Sequence, residues 1–370
     1  MDKQYIPLHL KYRPHTFKHI IGQFNATNYL EQAIRKKKVT FAYLFAGQQG
    51  TGKTTLARVM AKALNCNSLE IMPCNNCESC INIDLGHSLD FYEIEAAKNT
   101  GIENICGILE MIQSAPILSK YKVCLIDEID MLGNKAFNKL LQILKCPPTN
   151  TVFILLTTSI HKIPDTISSR CQTIYFQPIK KQDLSIVISK IIHNEKLRVT
   201  NKAIRNLLNI SNGNFRNALN KIELFSIEKY NITEQSLNDT YLLPPLLILD
   251  ILIETILHLN LLKALIIVDY IQINNWNKEY IISSMYNMLI NKYIEKTATS
   301  YKSKHIFFNI KCLINLLEVL IDSKMNNNSN LGSDLIYFLL QNDHKKRSQV
   351  TFIKRKKILL FIPKHKIYSN

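Results

Sequence analysis

The sequence lacks the long apolar runs of membrane and secreted proteins. Its most apolar region, residues 242–273, is interrupted by four charged residues: Asp250, Glu254, Lys263 and Asp269. No uncharged stretch there reaches the roughly 20 residues that a membrane-spanning helix needs. The first five residues do not begin the apolar run of a signal peptide. These absences predict a cytoplasmic protein that has no membrane partner.

Glycine is scarce, at 10 of 370 residues, whereas isoleucine, asparagine and lysine are plentiful. This bias indicates a drift towards AT-rich codons. The composition excludes a disordered chain, because hydrophobic residues make up 46% and charged residues only 20%. A chain of this length can form two or three domains with cores of their own, and it shows no internal repeat of solenoid length.

Acidic residues are missing from the end of the sequence. After Asp343 there are nine cations and no acid: Lys345, Lys346, Arg347, Lys354, Arg355, Lys356, Lys357, Lys364 and Lys366. The formal net charge of the whole chain is +17, and such an excess suits a polyanionic partner, DNA or RNA. The codon drift offers an alternative, in which the charge of this basic tail is compositional and makes no dedicated contact.

One glycine-containing stretch organises the chain. Residues 47–55 lie between an apolar run at 41–46 and a helical run at 56–64, and they match the phosphate-binding pattern Gly, any four residues, Gly-Lys-Thr. Backbone amides and a helix N-terminus can approach phosphate closely in such a loop. An ordinary glycine turn is the alternative, but it seldom falls between a strand and a helix. The predicted nucleotide-binding residues are Gly47, Gln48, Gln49, Gly50, Thr51, Gly52, Lys53, Thr54 and Thr55.

The pattern also assigns roles within this stretch. Lys53 is predicted to lie against the β- and γ-phosphates, and the Thr54 hydroxyl to hold Mg²⁺. The acidic partners that such a loop requires are Asp127 and Glu128, at the end of an apolar strand at 122–126. We predict that Asp127 holds the metal and that Glu128 polarises the attacking water. A solvated strand end is the alternative for this acidic pair.

Four of the nine cysteines are closely spaced. Cys66, Cys74, Cys77 and Cys80 are separated by seven, two and two residues, which predicts a structural Zn²⁺ site with all four positions filled by thiolates. Disulfides or free thiols are the alternatives. An iron–sulfur site is disfavoured because no Cys-Pro follows Cys80. The other cysteines are predicted to be core or incidental residues: Cys106, Cys124, Cys146, Cys171 and Cys312.

Apolar runs alternate with helical patterns in the first half of the chain. Strands are predicted at 41–46, 91–95, 122–126, 151–156 and 173–176, and helices at 26–37, 102–112 and 133–144. This alternation predicts an α/β domain over residues 1–179, with a parallel sheet that has helices on both faces. An irregular insertion at 66–86 interrupts it and carries the zinc module at 66–80.

The β pattern stops after Pro178. Leu184, Val187, Ile188, Ile191 and Ile192 follow helical spacing, which predicts a small helical domain over residues 180–242. Pro244-Pro245 marks a plausible boundary. The remainder, residues 243–370, is predicted to be an all-α domain that ends in the basic tail.

Several motifs in order resemble one family. They are Lys11-Tyr12-Arg13-Pro14, Gln23, the phosphate-binding loop, the four cysteines, Leu125-Ile126-Asp127-Glu128, Thr157-Thr158, Ser169-Arg170-Cys171 and Gly213-Asn214-Phe215-Arg216. Together they closely resemble the gamma/tau subunits of the bacterial DNA polymerase III clamp loader, which are AAA+ ATPases. The motifs cover about the first 240 residues, and the remainder is similar in length and character to the oligomerisation collar of that family.

The resemblance implies roles that spacing alone does not give. Thr158 is expected to sense the γ-phosphate, and Arg216 to be a second sensor from a helical lid at 180–242. Arg170 is expected to act as an arginine finger on ATP held by a neighbouring subunit. Taken alone, either arginine is more often a surface cation. The implied cofactors are ATP, Mg²⁺ and Zn²⁺.

The implied partners are the other subunits of a five-subunit ring, the sliding clamp and primer–template DNA. ATP binding would let the ring open the clamp, and DNA would then trigger hydrolysis and release. The chain resembles the short form of the subunit, so we expect no helicase- or polymerase-binding segments. It departs from the family where Asp130 replaces a usual histidine and where Lys145-Cys146 replaces usual acids.

Two other functions stay open at this point. One is a non-catalytic, zinc-bearing scaffold subunit of the same complex, which the intact Lys53-Thr54 and Asp127-Glu128 disfavour. The other is a different AAA+ DNA remodeller, such as a branch-migration motor or a helicase loader. The zinc insertion directly after the phosphate-loop helix disfavours it.

Overall fold

The computed structural model describes residues 5–299, apart from 69, 71, 98–101, 229–231 and 259. The chain divides into two compact units, one up to residue 233 and one from residue 234 onward. The division into three domains at 179 and 242 therefore remains a prediction. The basic tail, the Cys106 side chain and Cys312 lie outside the described residues.

The first unit is built on a parallel sheet. Its strands are β1 (Ala42–Gly47), β2 (Phe91–Glu95), β3 (Lys122–Asp127), β4 (Thr151–Thr157) and β5 (Gln172–Phe176). They lie in the order β2-β3-β4-β1-β5, and all neighbouring pairs are parallel. Because β1 lies next to β4, and β3 is the next strand beyond β4, the carboxyl ends of these three parallel strands lie along one edge of the sheet, where ligands bind in sheets of this kind.

Helices of the first unit alternate with the strands and then continue alone. They are α1 (Leu8–Lys11), α2 (Phe24–Arg35), α3 (Lys53–Asn65), α4 (Glu78–Leu85), α5 (Ile102–Met111), α6 (Asn134–Lys145), α7 (Asp165–Ser168), α8 (Lys181–Asn194), α9 (Asn201–Ser211) and α10 (Phe215–Glu228). Strands β1, β3 and β4 are buried along almost their whole length. That burial explains why they appear in the sequence as continuous apolar runs rather than as alternating patterns.

Each face of the sheet has its own core. Leu44, Ile126 and Phe153 point to the face covered by α5, α6 and α7. Tyr43 and Phe45 lie on either side of Leu44 along β1, and their side chains point to the other face, which α2 and α3 cover. The α/β prediction of a parallel sheet with helices on both faces is confirmed.

The insertion after α3 is less irregular than predicted. Residues 78–85 form helix α4, which ends at Gly86 in the left-handed conformation (φ 75°). The spacing of apolar residues did not reveal this helix, because the helix is short and mixes apolar with polar residues and so has no clear apolar face. The prediction of an irregular segment over all of 66–86 was wrong.

The second unit is helical where it is described. Its helices are α11 (Glu234–Thr240), α12 (Leu246–Leu257), α13 (Leu261–Ile273) and α14 (Lys278–Thr299). Leu252, Val268 and Met285 belong to one core that α12, α13 and α14 share. Among the described helices, none combines the length and apolarity needed to cross a membrane.

Candidate nucleotide site and cysteine cluster

The loop between β1 and α3 has the backbone of a phosphate-binding loop. Gly50 (φ 75°) and Gly52 (φ 99°) adopt left-handed conformations that favour glycine. Lys53, the first residue of α3, turns back over the loop and donates hydrogen bonds from Nζ to the carbonyl oxygens of Gly47 (2.7 Å) and Gln48 (2.9 Å). Burial lowers the pKa of Lys53, although Asp127 and two further carboxylates raise it. Two backbone carbonyl oxygens thus hold the ammonium group at the loop, and the oxygens of a bound anion can take their place as its partners.

The metal-binding pair predicted from the sequence is assembled. Thr54 Oγ1 donates a hydrogen bond to Asp127 Oδ2 over 2.7 Å. A hydroxyl and a carboxylate oxygen are the kind of donors that Mg²⁺ uses at phosphates. The chemistry of this donor set therefore fits Mg²⁺, with Thr54 and Asp127 as the residues that would hold it.

Glu128 lies just beyond the end of β3. It adopts a left-handed conformation (φ 54°), and its backbone N–H donates to Asp127 Oδ1 at 2.9 Å. Residues other than glycine are uncommon in that conformation. Glu128 lines the same cavity as Asp127 and Lys53.

That cavity has a volume of about 410 Å³, within the range of small-molecule sites. It brings together five of the six predicted catalytic residues: Lys53, Asp127, Glu128, Thr158 and Arg216. Arg170 is not among its lining residues. It is exposed and donates a hydrogen bond to the backbone carbonyl of Thr166. Of the predicted loop residues, Gln49 through Thr55 line the cavity, whereas Gly47 and Gln48 hold the Lys53 ammonium group.

Sequence reasoning missed one wall of the cavity. Residues before β1 form it, including His9, Leu10, Arg13 and Pro14. Arg13 Nε donates to Thr55 Oγ1 at 3.3 Å, and burial together with the nearby Arg58 lowers the pKa of Arg13. The only signal for this wall was the Lys11-Tyr12-Arg13-Pro14 motif, to which spacing assigned no role.

Apolar residues of the cavity lining also went unpredicted. They include Ile20, Ile21, Ile179 and Phe215. Gln23 stabilises this region, since its Nε2 donates to the carbonyl oxygens of Gln177 (2.7 Å) and Thr51 (3.3 Å). The cavity lining therefore combines charged side chains, such as Lys53 and Asp127, with apolar ones.

Asp130 was noted in the sequence only as a substitution. It accepts a hydrogen bond from Thr157 Oγ1 over 2.8 Å, which connects the turn after β3 to the end of β4. Thr157 directly precedes Thr158. Asp130 is also one of the carboxylates that raise the pKa of Lys53, so it contributes to the charge balance of the site.

The four clustered cysteines meet in space. The Sγ atoms of Cys66, Cys74, Cys77 and Cys80 all lie within 4.8 Å of one another, and none is in a disulfide. A tetrahedral zinc with Zn–S bonds of about 2.3 Å places its sulfurs roughly 3.8 Å apart, so the arrangement fits zinc after small adjustments.

Backbone amides around the cluster favour thiolates. The N–H groups of Cys74 and Cys77 donate to the sulfurs of Cys66 and Cys74, each at 3.4 Å. Backbone N–H groups, chiefly that of Asn76, lower the pKa of Cys74 to about 6, whereas burial raises the pKa of Cys66 and Cys80. Thiolate is the form of cysteine that binds metal.

A buried lysine connects this module to the phosphate-loop helix. Lys62, in the last turn of α3, is 1% exposed. Its Nζ donates to Asn75 Oδ1 at 2.8 Å and to Asp84 Oδ2 at 2.9 Å. Since α3 begins at Lys53 and is followed at once by Cys66, one helix carries the phosphate-binding loop at one end and the cysteine module at the other.

Comparison with curated proteins identifies the family. The chain is 36% identical over 295 residues to the DNA polymerase III subunit gamma of Buchnera aphidicola subsp. Baizongia pistaciae, covering 79% of this chain and 80% of that protein. This chain belongs to the DNA polymerase III gamma/tau family. It is also 40% identical over 220 residues to the subunit tau of Bacillus subtilis, covering 59% of this chain but only 39% of that longer relative.

Two further comparisons accompany this result. Residues 22–180 match the family model described as "DNA polymerase III, delta subunit", a stretch that holds the sheet of this gamma/tau family member. Among solved structures, the Thermotoga maritima RuvB Holliday junction branch migration motor is similar at 17% identity and a TM-score of 0.47, covering 66% of this chain and 79% of that one.

Proposed function

We propose that this chain is an ATP-hydrolysing motor subunit of the replicative clamp loader within the DNA polymerase III holoenzyme. In this proposal ATP binding opens the sliding clamp and loads it on primer–template DNA, and hydrolysis releases it. The observation that carries the proposal is the cavity in which Lys53, Thr54, Asp127 and Glu128 meet, with Thr54 and Asp127 in direct hydrogen-bond contact. Membership of the gamma/tau family supports the choice of a clamp loader.

The side chains of the cavity divide the work. Lys53 leaves its two carbonyl partners for the β- and γ-phosphates of ATP, and Thr54 with Asp127 would hold Mg²⁺, which supplies positive charge to the phosphates when bound. Glu128 orients and polarises the attacking water. Thr158 and Arg216 contact the terminal phosphate from two different elements, so both the sheet and the helical segment respond to nucleotide.

Arg170 acts on the ATP of a neighbouring subunit. Its exposure, and its absence from the cavity of its own chain, support a role across a subunit interface. A positive charge supplied there stabilises the charge that develops on the transferred phosphoryl group. Hydrolysis then depends on assembly of the five-subunit ring.

The four cysteines hold a structural zinc. All four ligand positions would be filled by protein, so no open position is left for water or substrate. The zinc then stabilises the module beside α3 and takes no part in hydrolysis. A non-catalytic scaffold subunit is the less favoured proposal, because a scaffold has no need of a complete set of loop lysine, threonine and carboxylates.

The decisive experiment is the Lys53→Ala variant of the full chain, compared with Lys38→Ala as an exposed-lysine control. Binding of a fluorescent ATP analogue should be lost in Lys53→Ala and unchanged in Lys38→Ala, while both variants keep the far-ultraviolet spectrum of the parent. Clamp loading on primed DNA by the reconstituted complex should be lost with Lys53→Ala as well. Binding of ATP by Lys53→Ala with the parent affinity would show that the loop is not the nucleotide site.

A further inference from the structure

We propose that Asn214 is a positioning residue that fixes Arg216 relative to the phosphate-binding loop. The inference rests on the proposed ATP site and adds a residue to it. Its basis is a direct connection between the start of α10 and the loop, made by a single side-chain amide.

The two ends of that amide have different partners. Asn214 Nδ2 donates to the carbonyl oxygen of Gln49, in the phosphate-binding loop, at 3.0 Å. Asn214 Oδ1 accepts the backbone N–H of Asn217, in the first turn of α10, at 2.9 Å. Because the amide is planar and rigid, these two bonds set the separation between the loop and the helix to the width of one amide group.

Gly50 makes this contact possible. A Cβ atom at residue 50 would lie 2.0 Å from Asn214 Oδ1 and 2.4 Å from Nδ2, distances that no real contact allows. The asparagine amide is therefore packed directly on the loop backbone. Because Gly50 has no Cβ atom, it leaves room for the Asn214 amide and also permits the left-handed backbone conformation.

The backbone next to Asn214 is fixed as well. Gly213 (φ 75°) accepts a hydrogen bond from the Ile179 N–H at 3.1 Å, and a Cβ on Gly213 would meet the Ile179 carbonyl oxygen at 2.8 Å. Asn214 thus has little freedom to move independently of the segment that joins β5 to α8. A shift of the loop carbonyl at Gln49 is transmitted to α10 rather than absorbed.

Arg216 receives that shift. It is two residues beyond Asn214, in the first turn of α10, and it lines the cavity together with Gly50 and Lys53. Bound nucleotide would move the carbonyl groups of the loop, including those that hold Lys53. Movement of the Gln49 carbonyl, which accepts from Asn214, would then move Asn214 and with it Arg216. Asn214 does not itself line the cavity, so its effect on nucleotide must pass through another residue.

A double-mutant cycle on the full chain tests this route. Asn214→Ser keeps a side chain that can cap a helix but is too short to reach Gln49. Its ATP affinity, measured by titration with a fluorescent ATP analogue, should fall roughly three- to tenfold, the size expected for one hydrogen bond. In an Arg216→Ala background the same substitution should cause no further loss, because coupled residues are not additive. Asn220→Ser, at an exposed position further along α10, is the matched control and should bind like the parent.

Each outcome decides the matter. An equal loss in both backgrounds, or no loss from Asn214→Ser, overturns the positioning role. If Asn214→Ser lowers the melting temperature, Asn214→Asp, which keeps the cap but cannot donate to Gln49, is put through the same cycle and judged by the same criterion. The proposed function fails separately, if Lys53→Ala binds ATP like the parent.

Discussion

At the scale of single residues, the buried carboxylate of Asp90 shows how one side chain can organise a loop. It is 1% exposed and accepts three backbone hydrogen bonds, from Ile117, Leu118 and Ser119, each at 2.8 Å. Burial raises the pKa of Asp90, but these three N–H groups outweigh burial and the net shift is downward. The carboxylate therefore fixes the segment before β3 most strongly while it is ionised.

We expect Asp90→Asn to destabilise the first unit by about 2 kcal/mol at pH 7, because hydrogen bonds to a charged group are worth about 1.5–3 kcal/mol. The folded pKa is depressed, so this stabilisation is fully present above the unfolded value of about 3.9. It is lost as pH falls through the folded pKa. Thermal unfolding measured from pH 7 downward should show that the difference in stability between parent and variant begins to close only below about pH 3.9. Asp165→Asn, at an exposed carboxylate, is the control, and a gap of constant size down to pH 3 would contradict the account.

The residues of the cavity divide into those that sequence could predict and those that it could not. Lys53, Asp127 and Glu128 were predictable because the loop chemistry requires them at fixed positions in sequence. Arg13 was not, because its contact with Thr55 depends on how the segment before β1 packs against the start of α3. The role of Asn214, which does not line the cavity, could not be predicted either, since its partner Gln49 is 165 residues away.

At the scale of elements, α3 and the cysteine module behave as one structure. We expect the purified chain to contain one zinc and no iron by elemental analysis. Cys77→Ser should lose the zinc and lower the stability of residues 66–86, because metal binding and local folding are coupled. ATP hydrolysis should remain largely unchanged, since Cys77 is far along the chain from the phosphate-binding end of α3.

Cys146→Ser is the matched control for that experiment. Cys146 is exposed and is not part of the cluster, so its substitution should leave both zinc content and stability as in the parent. Freshly purified protein without zinc, prepared in the absence of chelator, would sink the prediction. So would a Cys77→Ser variant that retains a full equivalent of the metal.

Strands were more predictable than helices in this chain. The five strands begin and end within one residue of the positions predicted. For β1, β3 and β4 the reason is burial on both faces, which produces continuous apolar runs, whereas β2 and β5 are partly exposed. Helix α4 was missed for the opposite reason. Its stability comes from tertiary features that no local pattern contains, such as the contact between Lys62 and Asp84 and the buried Cys80.

At the scale of the whole molecule, we propose that the exposed Arg170 completes the ATP site of a neighbouring subunit rather than that of its own chain. We expect Arg170→Ala to leave ATP affinity nearly unchanged and to reduce DNA-stimulated turnover of the assembled complex by up to about 10³-fold, the effect of a full arginine finger. Arg205→Ala, at another exposed arginine, should have neither effect. Turnover and ATP binding are measured on the same preparations.

Mixing of variants shows where Arg170 acts. Subunits with Arg170→Ala should hydrolyse ATP when a neighbour supplies an intact Arg170, whereas Lys53→Ala subunits should not recover in any mixture. If the two variants behaved alike on mixing, the arginine would act within its own chain, and the proposal of an interface role would fail.

The chain has 46 lysines and arginines, yet three of its described lysines are buried, namely Lys53, Lys62 and Lys122. Lys122 Nζ donates to Ser114 Oγ at 2.7 Å, so the three ammonium groups belong to the phosphate-binding loop, the cysteine module and the sheet. Amine acylation followed by mass spectrometry should therefore find Lys53, Lys62 and Lys122 to be slow compared with the exposed lysines among the described residues. Removing zinc with a chelator should speed acylation of Lys62 and leave Lys122 slow, so that one labelling experiment reports the state of each region separately.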